Sequence, residues 1–266
     1  MIIGMENVSW KRENKWVLQN INWEVKQGEN WAVLGLNGSG KTTLLNIVNG
    51  YIFPSSGKVN VLGNIFGKSD LRELRRSIGW VSSSLQEDLY LNETALEIVL
   101  SGKFATIGLV DTPSPADIAA AQKLLAGLGC TPLQHRPYRS LSQGEKQKVM
   151  IARSLISSPE LLILDEPCTG LDILAKERLL STVQLLAEGQ QAPALIYVTH
   201  HTDEILPVFK NVLLLKDGQI HSAGKKKHIL TARNLKDFFG VPIELSWENE
   251  RPVLRMATEG LSQAAL

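Results

Sequence analysis

The sequence predicts an α/β chain built on parallel strands, with an antiparallel β subdomain at its start and a helical insertion in its middle. Three observations predict it. The compact apolar run "NWAVLGL" leads through a Gly-rich turn into the helical pattern "KTTLLNIVNGY". The stretch before it, "MENVSWKRENKWVLQNINWEVKQGE", alternates apolar and polar residues as an edge sheet of short antiparallel strands would. From about residue 86 to 158 the pattern becomes largely helical. The 266 residues, 44% of them hydrophobic, suit one domain with room for a subdomain and a large core.

Each element follows in order. "NWAVLGL" is continuous rather than alternating, as a strand buried on both faces should be. In the helix after the turn, Leu44, Leu45 and Val48 fall on one side. "PSPADIAAAQKLLAGLG" and "QGEKQKVMIARSLISS" are the clearest helices of the insertion. "LLILD" and "ALIYVTH" repeat the buried-strand pattern, and "NVLLLKDGQIHSAG" reads as a hairpin turning at Asp217-Gly218. After Thr231, "ARNLKDFFGVPIELSWENERPVLRM" reads as a helix and a two-stranded appendix. The closing "TEGLSQAAL" is small and polar and is expected to fray.

Composition excludes several classes. A net charge of +1 gives no field to recruit nucleic acid, so no nucleic-acid partner is expected. The run Lys225-Lys226-Lys227 reads as a solvated loop. Cys130 and Cys168 make no disulfide framework, which fits a reducing compartment, and Cys168 reads as a small buried filler. The start lacks the charged-then-apolar order of a signal peptide. No apolar run approaches the ~20 residues of a membrane helix. A cytoplasmic protein is expected, and any service to a membrane would be peripheral.

The chemistry begins at Gly35. "GLNGSGKTT", Gly35, Leu36, Asn37, Gly38, Ser39, Gly40, Lys41, Thr42 and Thr43, fits G-x-x-x-x-G-K-[ST] between a strand and a helix. Glycines let the backbone curl so that its N–H groups face phosphate oxygens, and the helix N-terminus faces the same anion. Lys41 reaches the β- and γ-phosphates of a nucleotide, and the Thr42 hydroxyl reaches Mg²⁺. The pattern predicts the core of a P-loop NTPase, with a nucleotide and Mg²⁺ as its ligands. "LLILDEP" ends an apolar strand in Asp165, which can hold Mg²⁺, and Glu166, which can polarise the attacking water.

"LSQGE", Leu141 to Glu145, opens a helix shortly before that strand. With "GLNGSGKTT", "LLILDEP", "GLD" and "VTH" in order over residues 1–230, the chain resembles the ATP-binding cassette (ABC) ATPases. The resemblance implies a nucleotide-binding domain at 1–230, with its helical insertion at about 86–158, and a short C-terminal extension at 231–266. It implies that Ser142 and Gly144 contact the nucleotide held by a second copy of the chain. It places Asp172 in the loop that crosses this dimer, and His200 as the switch histidine beside the γ-phosphate. His201 stands where many relatives are acidic. Two adjacent histidines on a strand point to opposite faces and would chelate metal poorly. His135, His221 and His228 read as surface residues.

Two family positions depart from pattern. After "IGWV", the place of a metal-contacting glutamine holds Ser83, and the nearest glutamine is Gln86. Either Gln86 reaches the metal or serine and water fill the position; the reading leans to Gln86. The aromatic residue that stacks on adenine falls near Arg12, with Trp16 and Trp10 beside it. Arg12 and Trp16 are the candidates, and Trp10, Trp23 and Trp31 can equally be core aromatics. The resemblance leans to bacterial molybdenum- and iron-complex importer cassettes. It implies ATP hydrolysis coupled to solute transport through a membrane permease, from the cytoplasmic face. A soluble ABC ATPase acting on ribosomes or nucleic acid is the alternative.

Overall fold

A computed structural model describes residues 1–82, 85–86, 89–190 and 192–257. In chain order its elements are β1 (Ile3–Arg12), β2 (Lys15–Val25), β3 (Trp31–Gly35), α1 (Lys41–Val48), β4 (Ser56–Val61), β5 (Asn64–Ile65), α2 (Leu71–Arg76) and β6 (Ile78–Val81). There follow α3 (Ala95–Lys103), α4 (Pro115–Gly127), α5 (Gln143–Leu155), β7 (Leu161–Asp165), α6 (Ile173–Ala187) and β8 (Ala194–Thr199). The last are β9 (Asn211–Lys216), β10 (Gln219–Lys225), α7 (Lys226–Ile229), α8 (Ala232–Phe239), β11 (Ile243–Glu248) and β12 (Arg251–Met256). The chain forms two compact units, one of Met1–Leu71 with the chain from Ile196 onward, the other of Arg72–Leu195. None of the described helices is long and apolar enough to cross a membrane.

In the first unit, β2-β1-β4-β5 form an antiparallel sheet. Its first two strands are longer than the short strands expected, at 10 and 11 residues. Bulges make that length possible. The register shifts on either side of Val8, and Asn7 and Asn20 adopt φ of 51° and 53°. Amides displaced from the ladder find side chains instead: Asn7 N donates to Asn22 Oδ1 at 2.9 Å and Asn20 N to Ser9 Oγ at 2.9 Å.

The same unit carries parallel pairing of its own. β3 lies between β8 and β9, with Leu34 opposite Thr199 on one side and Leu214 on the other. Every residue of β3 is buried, as its unbroken apolar run required. The hairpin β9–β10 turns at Asp217 and Gly218 as expected, with φ of 48° and 75°. The C-terminal segment also forms as read. α8 ends at Gly240 in the left-handed conformation, and β11 pairs β12 from Ile243↔Met256 to Glu248↔Arg251. The expectation of fraying at "TEGLSQAAL" concerns residues outside those described.

In the second unit, β6 and β7 pair in parallel, from Ile78↔Leu161 to Val81↔Leu164. Capping boxes start three helices: Thr94 with Glu97, Ser114 with Asp117, and Ser142 with Glu145. Helices α3 and α5 approach closely because Gly102 has no side chain; a Cβ there would meet Arg153 O at 2.2 Å. Arg153 is buried and donates to Ser101 Oγ at 3.2 Å and Thr106 O at 2.9 Å.

Candidate active site

β3 ends at Gly35 and α1 starts at Lys41, so residues 36–40 form the loop between them. The three glycines serve different ends. Gly38 and Gly40 adopt φ of 79° and 103°, where a side chain is strained. Gly35 has an ordinary backbone, and its constraint is space: a Cβ would meet Ser39 Oγ at 2.5 Å and Leu215 O at 2.8 Å. Lys41 is buried, and its ammonium donates to Gly35 O at 2.7 Å and Leu36 O at 3.3 Å, so it reaches over the loop rather than along α1. Ser39 is 5% exposed, and its hydroxyl has no hydrogen-bond partner among the described residues. A buried hydroxyl, a folded-over ammonium and a helix N-terminus together make an anion cradle, and phosphate oxygens fit it. Thr42 is exposed at the first turn of α1.

The loop is held by a residue that the sequence reading assigned only to a hairpin turn. Gly218 N donates to Ser39 O at 3.0 Å, and Gly218 O accepts from Gln19 N at 2.8 Å. A Cβ on Gly218 would meet Val17 O at 2.2 Å. The turn of β9–β10 is therefore wedged between the anion loop and β2. Its turn chemistry was legible; its second task depends on a contact over nearly 180 residues of chain and was not.

Of the two adenine candidates, Trp16 is 46% exposed, with the Lys11 ammonium 5.8 Å from its ring centroid. Its neighbours touch the loop: a Cβ on Gly40 would meet Leu18 Cδ2 at 2.8 Å and Val17 O at 3.2 Å. Arg12 sits opposite Lys15 beside the tip of the β1–β2 hairpin, further along it. Trp23 and Trp31 are core residues, packed edge to face 6.0 Å apart; Trp10 is half-buried.

His200 follows the carboxyl end of β8, beside the end of β3, through the pairing of Thr199 with Leu34. This is the carboxyl end of the strands, where open α/β sheets bind ligands. The expectation that His201 points away from His200 does not hold. His200 and His201 lie past the last strand residue, so strand alternation does not apply, and their rings sit 4.1 Å apart. Among the described residues no group of three or more His, Cys, Asp or Glu is arranged to hold a metal.

In the second unit, Leu164 stands opposite Val81, so Asp165 and Ser82 leave the same end of two parallel strands. Glu166 adopts φ of 49°, a conformation that costs a non-glycine residue about 1–2 kcal/mol. Its carbonyl accepts from Thr169 N at 3.2 Å, closing the turn. Cys168 is buried in that turn, as its reading as a filler expected. Ser83 lies outside the described residues. Gln86 lies within the described residues: its backbone N–H donates to Ser82 O at 3.2 Å, and its Oε1 accepts from Gln147 Nε2 of α5 at 3.3 Å. Gln147, which the sequence reading did not single out, is buried.

Ser142 is the N-cap of α5, accepting from Glu145 N, while its own N–H donates to Glu145 Oε2 at 2.7 Å. Gly144 lies against α6, where a Cβ would come within 3.3 Å of Ala175 Cβ. Asp172 caps α6, with Oδ1 accepting from Ala175 N at 2.8 Å. Ile173 and Leu174, the next residues, are exposed.

Comparison with known proteins agrees with this geometry. The family model described as ABC transporter matches residues 18–169. The ABC transporter ATP-binding protein YlmA of Bacillus subtilis, itself uncharacterised, is 51% identical over 97% of this chain and 98% of its own. A metal-chelate type ABC transporter, solved in an inward-facing conformation, superposes with a TM-score of 0.78 at 28% identity, covering 100% of this chain and 99% of that one. A dimeric bacterial ABC transporter cassette, MJ0796, gives a TM-score of 0.72 at 27% identity over 84% of this chain and 98% of its own. With the ABC ATPase fold, an anion loop built for a nucleotide and a match across more than half its length, the chain belongs to the ATP-binding proteins of the ABC transporter family.

Proposed function

We propose that the protein binds and hydrolyses ATP as the energy-coupling subunit of a transporter, working as a closed dimer of two copies. The observation that carries the reading is the cradle of Gly35–Thr43, with Lys41 folded over it and a buried Ser39 hydroxyl that no described residue partners. Lys41 exchanges its carbonyl partners for phosphate oxygens when the nucleotide enters, and Trp16 stacks on the base. Thr42 and Asp165 would hold Mg²⁺, with Gln86 as the further candidate; the ion, when bound, would neutralise charge on the phosphates. Having few protein ligands suits an ion that keeps waters and shares substrate phosphates. Glu166 draws a proton from the attacking water, and His200 orients that water and the γ-phosphate. Ser142 and Gly144 meet the γ-phosphate bound to the other copy, and Asp172 sits at the copy–copy interface. A two-fold axis then makes two identical composite sites. The likeness to a metal-chelate transporter supports a membrane permease as partner and placement on the cytoplasmic face.

Glu166→Gln tests the reading, because an amide cannot take the proton. The variant is expected to bind ATP, release no phosphate and sediment as a dimer only with ATP present. Lys41→Ala is expected to lose ATP affinity itself. A Glu166→Gln protein that turns over like wild type, or stays monomeric with ATP, overturns the assignment. Capture of a membrane protein on solubilised membranes from the source cell tests the permease.

A further inference from the structure

The C-terminal hairpin β11–β12 is not spent on the anion loop, yet it grips the segment that carries His200. After β8 the chain makes a short turn, Thr202–Glu204, before running to β9. Inside that segment, Glu204 is 3% exposed. Its Oε2 accepts from Thr199 Oγ1 at 2.6 Å and from Tyr197 OH at 3.1 Å. Thr199 Oγ1 in turn accepts from His201 N at 2.9 Å. The backbone on both sides of His200 is thus fixed to one hydroxyl, and that hydroxyl to one buried carboxylate.

Two cations hold this segment from outside. Arg251, first residue of β12, donates from Nε to Asp203 O at 2.6 Å. Lys226, buried at the start of α7, donates from Nζ to Leu206 O at 3.0 Å and to Glu250 O at 3.2 Å. Lys226 therefore ties Glu250, at the tip of the hairpin, to the same segment that its neighbour Arg251 grips. Charge-assisted bonds to backbone carbonyls fix position without depending on side-chain chemistry at the receiving residue. A hairpin serving only to cover apolar surface would need neither: β11 is largely exposed, with the burial concentrated at Pro252.

We propose that the C-terminal hairpin is a brace for the switch segment, with Arg251 and Lys226 as positioning residues that set the place of His200. The inference rests on the role of His200 given above. Neither grip touches the anion loop, so loss of either leaves the loop's own contacts in place and lets His200 wander. A displacement of about 1 Å at a positioned catalytic group can cost on the order of 10²-fold in rate.

The test uses the full chain and compares wild type, Arg251→Ala, Arg251→Lys, Lys226→Met and His200→Ala. Readouts are kcat and KM for MgATP, affinity for a non-hydrolysable ATP analogue, and hydrogen exchange of the amides of residues 200–206. The brace predicts that Arg251→Ala lowers kcat about tenfold or more, with analogue affinity unchanged and faster exchange at His201. Arg251→Lys, which keeps a cationic donor, recovers much of kcat. Lys226→Met reads the second grip independently, should Arg251→Ala fail to fold. Wild-type kcat and exchange in Arg251→Ala and Lys226→Met, while His200→Ala is inactive, overturn the brace alone. Wild-type turnover by His200→Ala overturns the role of His200 and removes the brace's catalytic purpose with it.

Discussion

Gln86 faces a competition. The oxygen that would reach a metal ion also accepts from Gln147; its second lone pair lets it do both, and at most that one hydrogen bond is given up. The exchange is inexpensive, since a net hydrogen bond contributes only about 1 kcal/mol. Gln86→Ala should therefore lower hydrolysis at saturating MgATP about 10²-fold, whereas Ser83→Ala should not. Near-wild-type turnover by Gln86→Ala would hand the position to Ser83 and water. At this scale most of the candidate site was legible, because the anion loop and the Asp165-Glu166 pair are each an unbroken run of sequence. Gln147 could not, since it meets Gln86 across 61 residues and looks in isolation like any helix glutamine. Nor could the approach of His200 to His201, which depends on where β8 stops.

At the scale of elements, α5 begins with a negative charge. Its capping box uses Glu145, whose Oε2 accepts from Ser142 N, and Arg136 Nη1 stands 3.9 Å from the other oxygen. An anionic side chain at a helix N-terminus favours the helix by about 0.3–1 kcal/mol, yet it repels a phosphate brought to the same end. Glu145→Gln keeps the capping geometry and removes the charge. The variant should lose less than about 1 kcal/mol in urea unfolding. In the Glu166→Gln background it should dimerise more tightly with ATP by sedimentation; an unchanged or weaker dimer would place Ser142 away from the γ-phosphate. Helices with strong boundary signals, such as α4 behind Ser114-Pro115, were legible. α6 was not, because Ile173, Leu174 and Leu185 are exposed and blur its apolar face. β4 was missed for a related reason: its first three residues are exposed, leaving a weak strand pattern.

For the molecule as a whole, stability should carry the mark of one buried amine. Burial pushes the pKa of Lys226 down from 10.5 to about 8, with Lys210 and Lys227 adding to the fall and Glu250 opposing it. The folded state thus resists its protonation. Below pH 8 the amine is charged in both states, and the folded protein bears the full cost. Between about pH 8 and 10.5 the unfolded chain binds more protons than the folded one, so this group's contribution to stability rises with pH. The neutral amine still has two hydrogens for Leu206 O and Glu250 O. Urea unfolding of wild type and Lys226→Met at pH 7.5, 8.5 and 9.5 reads the effect. Wild type should gain on the variant as pH rises, by on the order of 1 kcal/mol or more; a constant difference would mean that Lys226 is protonated throughout. The wedged turn at Gly218 bears on how the protein can be handled. Hairpin tips are ordinarily the safest places to splice in a tag, a fluorophore or a second domain. Here the tip between β9 and β10 closes the floor of the nucleotide loop, so cargo inserted at Asp217-Gly218 would silence the protein while leaving every motif in its sequence unaltered.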